Sequence, residues 1–173
     1  GNTTHWLDLD TGRQMPLSFP DDEAAKLALF RTSGLDLMGI VTKEEIGVAC
    51  REMVVRQVEG SRWDRVTAEE IISETPSAQF GPGADAVHVI TTSPGRKVTM
   101  FFRTREGGHG ILQIIGQSEN PLGVKLRYKL VLEAGESVQS TGGEPRSRTF
   151  VLRHRLASEM GNVLGQILLG RVG

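Results

Sequence analysis

An α+β fold, a twisted and mainly antiparallel sheet with helices on one side, is predicted by three features of the chain. Residues 124–132 alternate cleanly: Val124, Leu126, Tyr128 and Leu130 point one way, Lys125, Arg127 and Lys129 the other. Short apolar runs between 87 and 133 are separated by turn sequences, Ser93-Pro94-Gly95, Gly107-Gly108 and Asn120-Pro121. Helical patterns sit before and after these runs, from about Asp21, over 67–73 and over 155–169.

Taken in order, residues 5–17 (HWLDLDTGRQMPL) read as a hairpin, with Trp6, Leu7 and Leu9 as strand formers and Asp10-Thr11-Gly12 as the turn. A helix is expected from about Asp21, where acidic residues meet the positive end of the helix dipole, and Ser33-Gly34 ends it. Residues 42–59 are ambiguous. Thr42-Lys43-Glu44-Glu45 fits a capping box and Ile46, Cys50, Met53 and Val54 have helical spacing, yet the apolar run also suits a buried strand. We favour a strand over 51–58. Thr67-Ala68-Glu69-Glu70 is a second capping box and opens a short helix over 67–73. Residues 76–86, with Gly81-Pro82-Gly83, read as a loop. Residues 87–91 and 97–105 then form a hairpin across Ser93-Pro94-Gly95, and the meander continues to 133. A glycine- and serine-rich stretch over 134–147 has linker composition. A strand over 148–152 and an amphipathic helix over 155–169 follow, the helix striped by Leu156, Met160, Val163, Leu164, Ile167 and Leu168. The organisation expected is an α+β domain over 1–133, a linker, and a βα segment over 148–173.

Composition narrows the function classes. With 173 residues the chain can bury an ordinary core, roughly 70% of its extended surface. Twenty Lys and Arg against 21 Asp and Glu leave a net charge of -1, so no global basic field draws in nucleic acid. The one cysteine, Cys50, excludes an internal disulfide and a cysteine-rich zinc site. No apolar run approaches the roughly 20 residues of a membrane-spanning helix. The opening residue is Gly1, which suggests a piece of a longer protein.

The segment FRTREGGHGILQIIGQSENPLGVKLRYKLV resembles one found in uncharacterised bacterial proteins, mostly extracytoplasmic portions that follow a membrane anchor, beside BlaR-type peptidase sensors or sigma-factor-like modules. LDLDTG, the acidic helix start and Arg62-Trp63-Asp64 before the TAEE helix match the rest of that pattern more loosely, over about residues 6–132. His109 departs from it, standing where an apolar residue is expected. The resemblance implies an extracytoplasmic setting and no particular activity. The final stretch, TFVLRHRLASEMGNVLGQILLGRVG, resembles the first strand and helix of a secretin N-type domain. It covers half such a unit, or alternatively completes the preceding sheet.

Several arrangements of chemistry-bearing residues compete with plainer readings. Arg103 and Arg105 share one strand face, and Lys125, Arg127 and Lys129 share another. If the faces coincide, five cations form a patch for an acidic protein or surface; the plain alternative is a solvated sheet face balanced by Glu106, Glu119 and Glu133. No aromatic is interleaved among them, which argues against a base-stacking platform. Asp10-Thr11-Gly12 is the tripeptide of aspartic peptidases, which need two carboxylates sharing a proton, so a single copy requires a symmetric dimer. It is also ordinary turn sequence. Asp8, Asp10 and Gly12 hint at a calcium loop but Arg13 and Phe19 stand where Gly and Glu are needed. The four histidines are scattered and form no ligand pair, and Cys50 sits among apolar neighbours. Ala157, Gly161 and Gly165 line one side of the last helix, allowing close approach to its own sheet or to a neighbouring subunit.

The reading that follows is a non-catalytic extracytoplasmic interaction or sensing module of a membrane-associated bacterial protein. It binds a protein partner or acidic surface through Arg103, Arg105, Lys125, Arg127 and Lys129, or self-associates through the last helix, with no cofactor, metal or specific nucleic acid. The alternative is a hydrolase of aspartic-peptidase type using Asp10.

Overall fold

The computed structural model describes residues 4–17, 20–76, 87–131 and 147–153. Among the described residues, ten strands and three helices are β1 (Thr4–Leu7), β2 (Gln14–Leu17), α1 (Glu23–Ser33), β3 (Leu37–Val41), β4 (Ile46–Arg51), β5 (Val54–Val58), α2 (Arg62–Arg65), α3 (Ala68–Glu74), β6 (Val87–Thr92), β7 (Val98–Arg103), β8 (His109–Glu119), β9 (Leu122–Val131) and β10 (Ser147–Arg153). All pairings are antiparallel, as expected of the α+β class. The strands divide between two five-stranded sheets, β2-β1-β3-β4-β6 (the first sheet) and β10-β9-β8-β7-β5 (the second sheet).

The sheets pack face to face. Leu7, Leu9, Leu37, Val41, Ile46, Val48, Cys50 and Met53 on one side meet Val98, Met100, Phe102, Leu112, Ile114, Val124, Leu126 and Tyr128 on the other. Burying these sixteen residues supplies the main favourable contribution to folding. Phe102 and Tyr128 meet edge to face, with ring centroids 6.3 Å apart. Each sheet's outer face carries its own smaller cluster. On the first sheet, Trp6, Leu35, Met38, Ile40 and Ala49 pack with Leu29 of α1. On the second sheet, Phe101 and Ile111 pack with Trp63 of α2 and Ile71 of α3. Helices therefore flank both outer faces, where the sequence reading placed them on one side of a single sheet, because each of two sheets has a second apolar face to cover.

This layering explains the ambiguity over 42–59. β3 and β4 are buried along their whole length, one face against the second sheet and the other in the outer cluster, so they lack the alternation of a half-wet strand. Thr42 caps no helix. Its hydroxyl accepts the N–H groups of Glu44 and Glu45 at 3.2 and 2.9 Å and closes the β3–β4 hairpin. The chain leaves β4 through Glu52, whose φ of 48° makes the bend, and crosses to β5 in the second sheet. The Thr67 capping box is realised, the hydroxyl accepting from Glu70 N at 3.2 Å and the Glu70 carboxylate from Thr67 N at 2.8 Å. α1 starts at Asp22, whose carboxylate accepts from Ala25 N at 2.7 Å, and stops at Gly34 with φ 63°.

One expected pairing is corrected. The turn at Ser93-Pro94-Gly95 forms, with Arg96 N–H donating to Ser93 O, but β6 and β7 are not paired. β6 joins β4 in one sheet and β7 joins β5 and β8 in the other, so this turn carries the chain between sheets. Turn chemistry fixes a reversal locally and is silent on which strands pair beyond it. The meander is therefore β7-β8-β9, and β10 extends it, pairing Ser147 with Lys129 through Arg153 with Gly123. The strand of the 148–173 segment completes the preceding sheet. The linker residues 134–146, and the final helix with Ala157, Gly161 and Gly165, lie outside the described residues.

Candidate functional site

Two places gather like charges. The first joins the β1–β2 turn to the β7–β8 turn. In the β1–β2 turn, Asp8 Oδ1 accepts from Thr11 N at 3.0 Å, and Gly12, at φ 73°, donates its N–H to Asp8 O. This shape turns Asp10 inward. Asp36, just before β3, is 2% exposed and its Oδ2 accepts from Leu9 N at 2.7 Å. Asp8, Asp10 and Asp36 each bring a carboxylate oxygen within 4.8 Å of the others. Opposite them, the Thr104 hydroxyl accepts from Gly108 N at 2.9 Å and is hydrogen-bonded to Asp10. A Cβ at Gly108 would overlap Asp10 Oδ1, so glycine is what lets the two turns touch. The other Asp10 oxygen, Oδ2, is buried without a hydrogen-bond partner.

Bunching carboxylates out of water disfavours their charge. Burial pushes the Asp36 carboxyl up to about 8; the Leu9 N–H opposes this, and Asp10, Glu106 and Asp8 add to it. Burial likewise raises Asp10, against the Thr104 hydrogen bond and with further help from Glu106 and Asp8. The Cys50 thiol, fully buried, is pushed up to about 12, chiefly by burial and then by Asp36, so it is inert core. Such a cluster can share protons or offer oxygen ligands to a hard cation.

The second place is the outer face of the second sheet. Alternation and register put Arg103 on β7 and Lys125, Arg127 and Lys129 on β9 on that face, with Phe101, Ile111 and Gln113 between. Arg105 is not on it. β7 ends at Arg103, and Arg105 sits in the following turn, its Nη1 donating to Glu52 Oε2 at 2.6 Å. The five-cation patch expected from the sequence is thus four cations, and it is not wholly solvated. Trp63, 3% exposed, lies among them: Arg127 Cζ is 4.1 Å and Lys129 Nζ 4.8 Å from the indole centroid. Lys129 Nζ also donates to Trp63 O at 2.8 Å. Arg127 donates from Nε and Nη2 to Gln113 Oε1 at 3.0 and 2.7 Å, and Gln113 Nε2 donates to Thr99 Oγ1 at 2.8 Å. Lys125 alone on the strand is exposed. Among the described residues, Lys125, Arg127 and Lys129 make no ion pair with a carboxylate.

Sequence reasoning weighed Asp8 and Asp10 and missed Asp36 and Trp63. Asp36 has a signal in hindsight, an acid between Leu35 and the apolar run of β3. Trp63 has one too, standing outside the β9 stripe in sequence but able to supply the aromatic that stripe lacks. No protein-family model matches the chain, and neither the curated proteins nor the solved structures contain a match to it.

Proposed function

We propose that the chain is a non-catalytic interaction or sensing module that docks an acidic segment of a protein partner on the cation strip of β9. One observation carries this reading: Arg127 and Lys129 are held by neutral groups, an amide oxygen, a main-chain carbonyl and an indole face, so their charge is positioned without being neutralised by any carboxylate among the described residues. A guanidinium and an ammonium pre-ordered in this way meet an incoming carboxylate with little further side-chain ordering. Lys125, exposed beside them, extends the strip along the strand. The extracytoplasmic, membrane-associated bacterial setting is supported by the resemblance of the TREGG to NPLGVKLRYKLV segment.

A hydrolase built on Asp10 is the weaker reading. Attack by a carboxylate-activated water needs an accessible oxygen, yet Asp10 Oδ2 is buried and its partner oxygen is engaged by Thr104 and pressed against Gly108. The test is binding of poly-L-glutamate to the full chain, followed by calorimetry. Salt-sensitive binding weakened about tenfold by the pair Lys125→Glu and Arg127→Gln is expected. Equal binding by the wild type and the double variant would overturn the reading.

A further inference from the structure

We propose that Asp8, Asp10 and Asp36 form a proton-held latch, in which a proton kept within the cluster docks the β1–β2 turn on the β7–β8 turn and its loss undocks them. The latch is independent of the β9 strip. It stands first on geometry. Asp10 reaches the opposite turn, its Oδ1 set against Gly108 beside the Thr104 hydroxyl, and that turn closes around Asp10 by the Thr104–Gly108 hydrogen bonds and the absent Gly108 side chain. Asp10 Oδ2 is buried and lacks a partner while two further carboxylates stand within 4.8 Å. An unpartnered carboxylate oxygen against other carboxyl groups is satisfied when one of them carries a proton and donates it.

The groups facing the cluster leave the negative charge in excess. The β1–β2 turn brings Asp8 and Asp10, the residue before β3 brings Asp36, and the β7–β8 turn brings Glu106. At the end of β4 stand the neutral thiol of Cys50 and Arg51, whose main-chain N–H donates to Asp36 O. Arg105 in the β7–β8 turn is engaged by Glu52. His109, next to Gly108, is the imidazole neighbouring the β7–β8 turn contact and is replaced in the test below.

The direction follows from the raised carboxyls. A group with a folded value near 8 against an ordinary 3.8 gives its full contribution to stability below about pH 4. That contribution drains away as pH rises toward 8 and is gone above it. Asp10 shifts in the same direction. Ionising the cluster sets like charges against each other in the turn contact.

The test is an NMR titration of the full chain in a His109→Gln background, following the Leu9, Thr104 and Gly108 amides from pH 5 to 9, with thermal melts alongside. A common midpoint above about pH 7 is expected, with a melting temperature falling by about 5 °C or more over the range. Asp36→Asn, which keeps an acceptor for Leu9 and removes the ionisation, should abolish that midpoint and raise the melting temperature at pH 9. A midpoint at an ordinary aspartate value, or a pH profile unchanged by Asp36→Asn, overturns the latch. So does saturable stabilisation by calcium chloride at pH 7 that Asp36→Asn removes, because the cluster would then be a cation site. Should Asp36→Asn fail to fold, Asp10→Asn must lower the midpoint, and an unmoved midpoint overturns the proposal equally.

Discussion

The carboxylate cluster and the cation strip set a similar number of like charges side by side and resolve the conflict in opposite ways. The carboxylates are turned into the contact between two turns, where water is scarce, and burial pushes Asp36 and Asp10 toward the neutral form. The cations stay on the rim of a helix-covered sheet face, partly wet, with Trp63 and Gln113 as neutral partners. Desolvation decides between the two outcomes. A group that can release its charge cheaply suits the buried place, and long side chains that snorkel past an aromatic suit the half-wet one.

The largest expected break in this comparison is Trp63→Ala. The indole fills the gap between α2 and the second sheet against Phe101 and Ile111 and supports both Arg127 and Lys129. Its removal should cost about 3–5 kcal/mol in urea unfolding and leave the strip without its order. Next comes Gly108→Ala. A methyl there collides with the Asp10 carboxylate, which must swing out of the contact or take the turn with it; a loss of about 1–3 kcal/mol is expected, together with a lower apparent midpoint in the pH titration as the carboxyls gain water. A Gly108→Ala variant as stable as the wild type would mean the turn contact contributes nothing. Thr67→Ala probes neither region directly and sets the scale for an ordinary local device. Losing the capping box should cost about 1 kcal/mol by the same measurement.

How much of this was legible in the sequence differs between the two regions for the same physical reason. The β9 strip was legible because one face of that strand is wet, and alternation is the signature of a half-wet strand. The capping box at Thr67 was legible because it is a contact among four neighbouring residues. β3 and β4 were not, since burial on both faces erases the period that separates strand from helix. The same box-like pattern at Thr42 closes a hairpin, and only the partner strand decides that. The cluster was illegible because Asp36 reaches Asp10 by way of the sheet. LDLDTG and TREGG, noted separately as motifs, meet through Asp10 and Gly108, a contact of nearly 100 residues' separation that no local pattern encodes.

The smallest expected effect separates the regions most sharply. Lys125 is exposed, has neither the indole nor the amide contact of its neighbours, and sits beside them on the same face. Reversing its charge in Lys125→Glu should shift stability by less than about 0.5 kcal/mol, because nothing buried depends on it. Poly-L-glutamate binding should nevertheless weaken, and the loss should shrink as salt shortens the Debye length below about 8 Å. The equivalent reversal at Arg127 should cost both stability and binding, since that guanidinium is bonded to Gln113 and stacked on Trp63. If Lys125→Glu unfolds the protein, its side chain is structural and the strip is not a free charged surface. If it leaves both stability and binding untouched while Arg127→Glu abolishes binding, the docking surface is confined to the indole-backed pair.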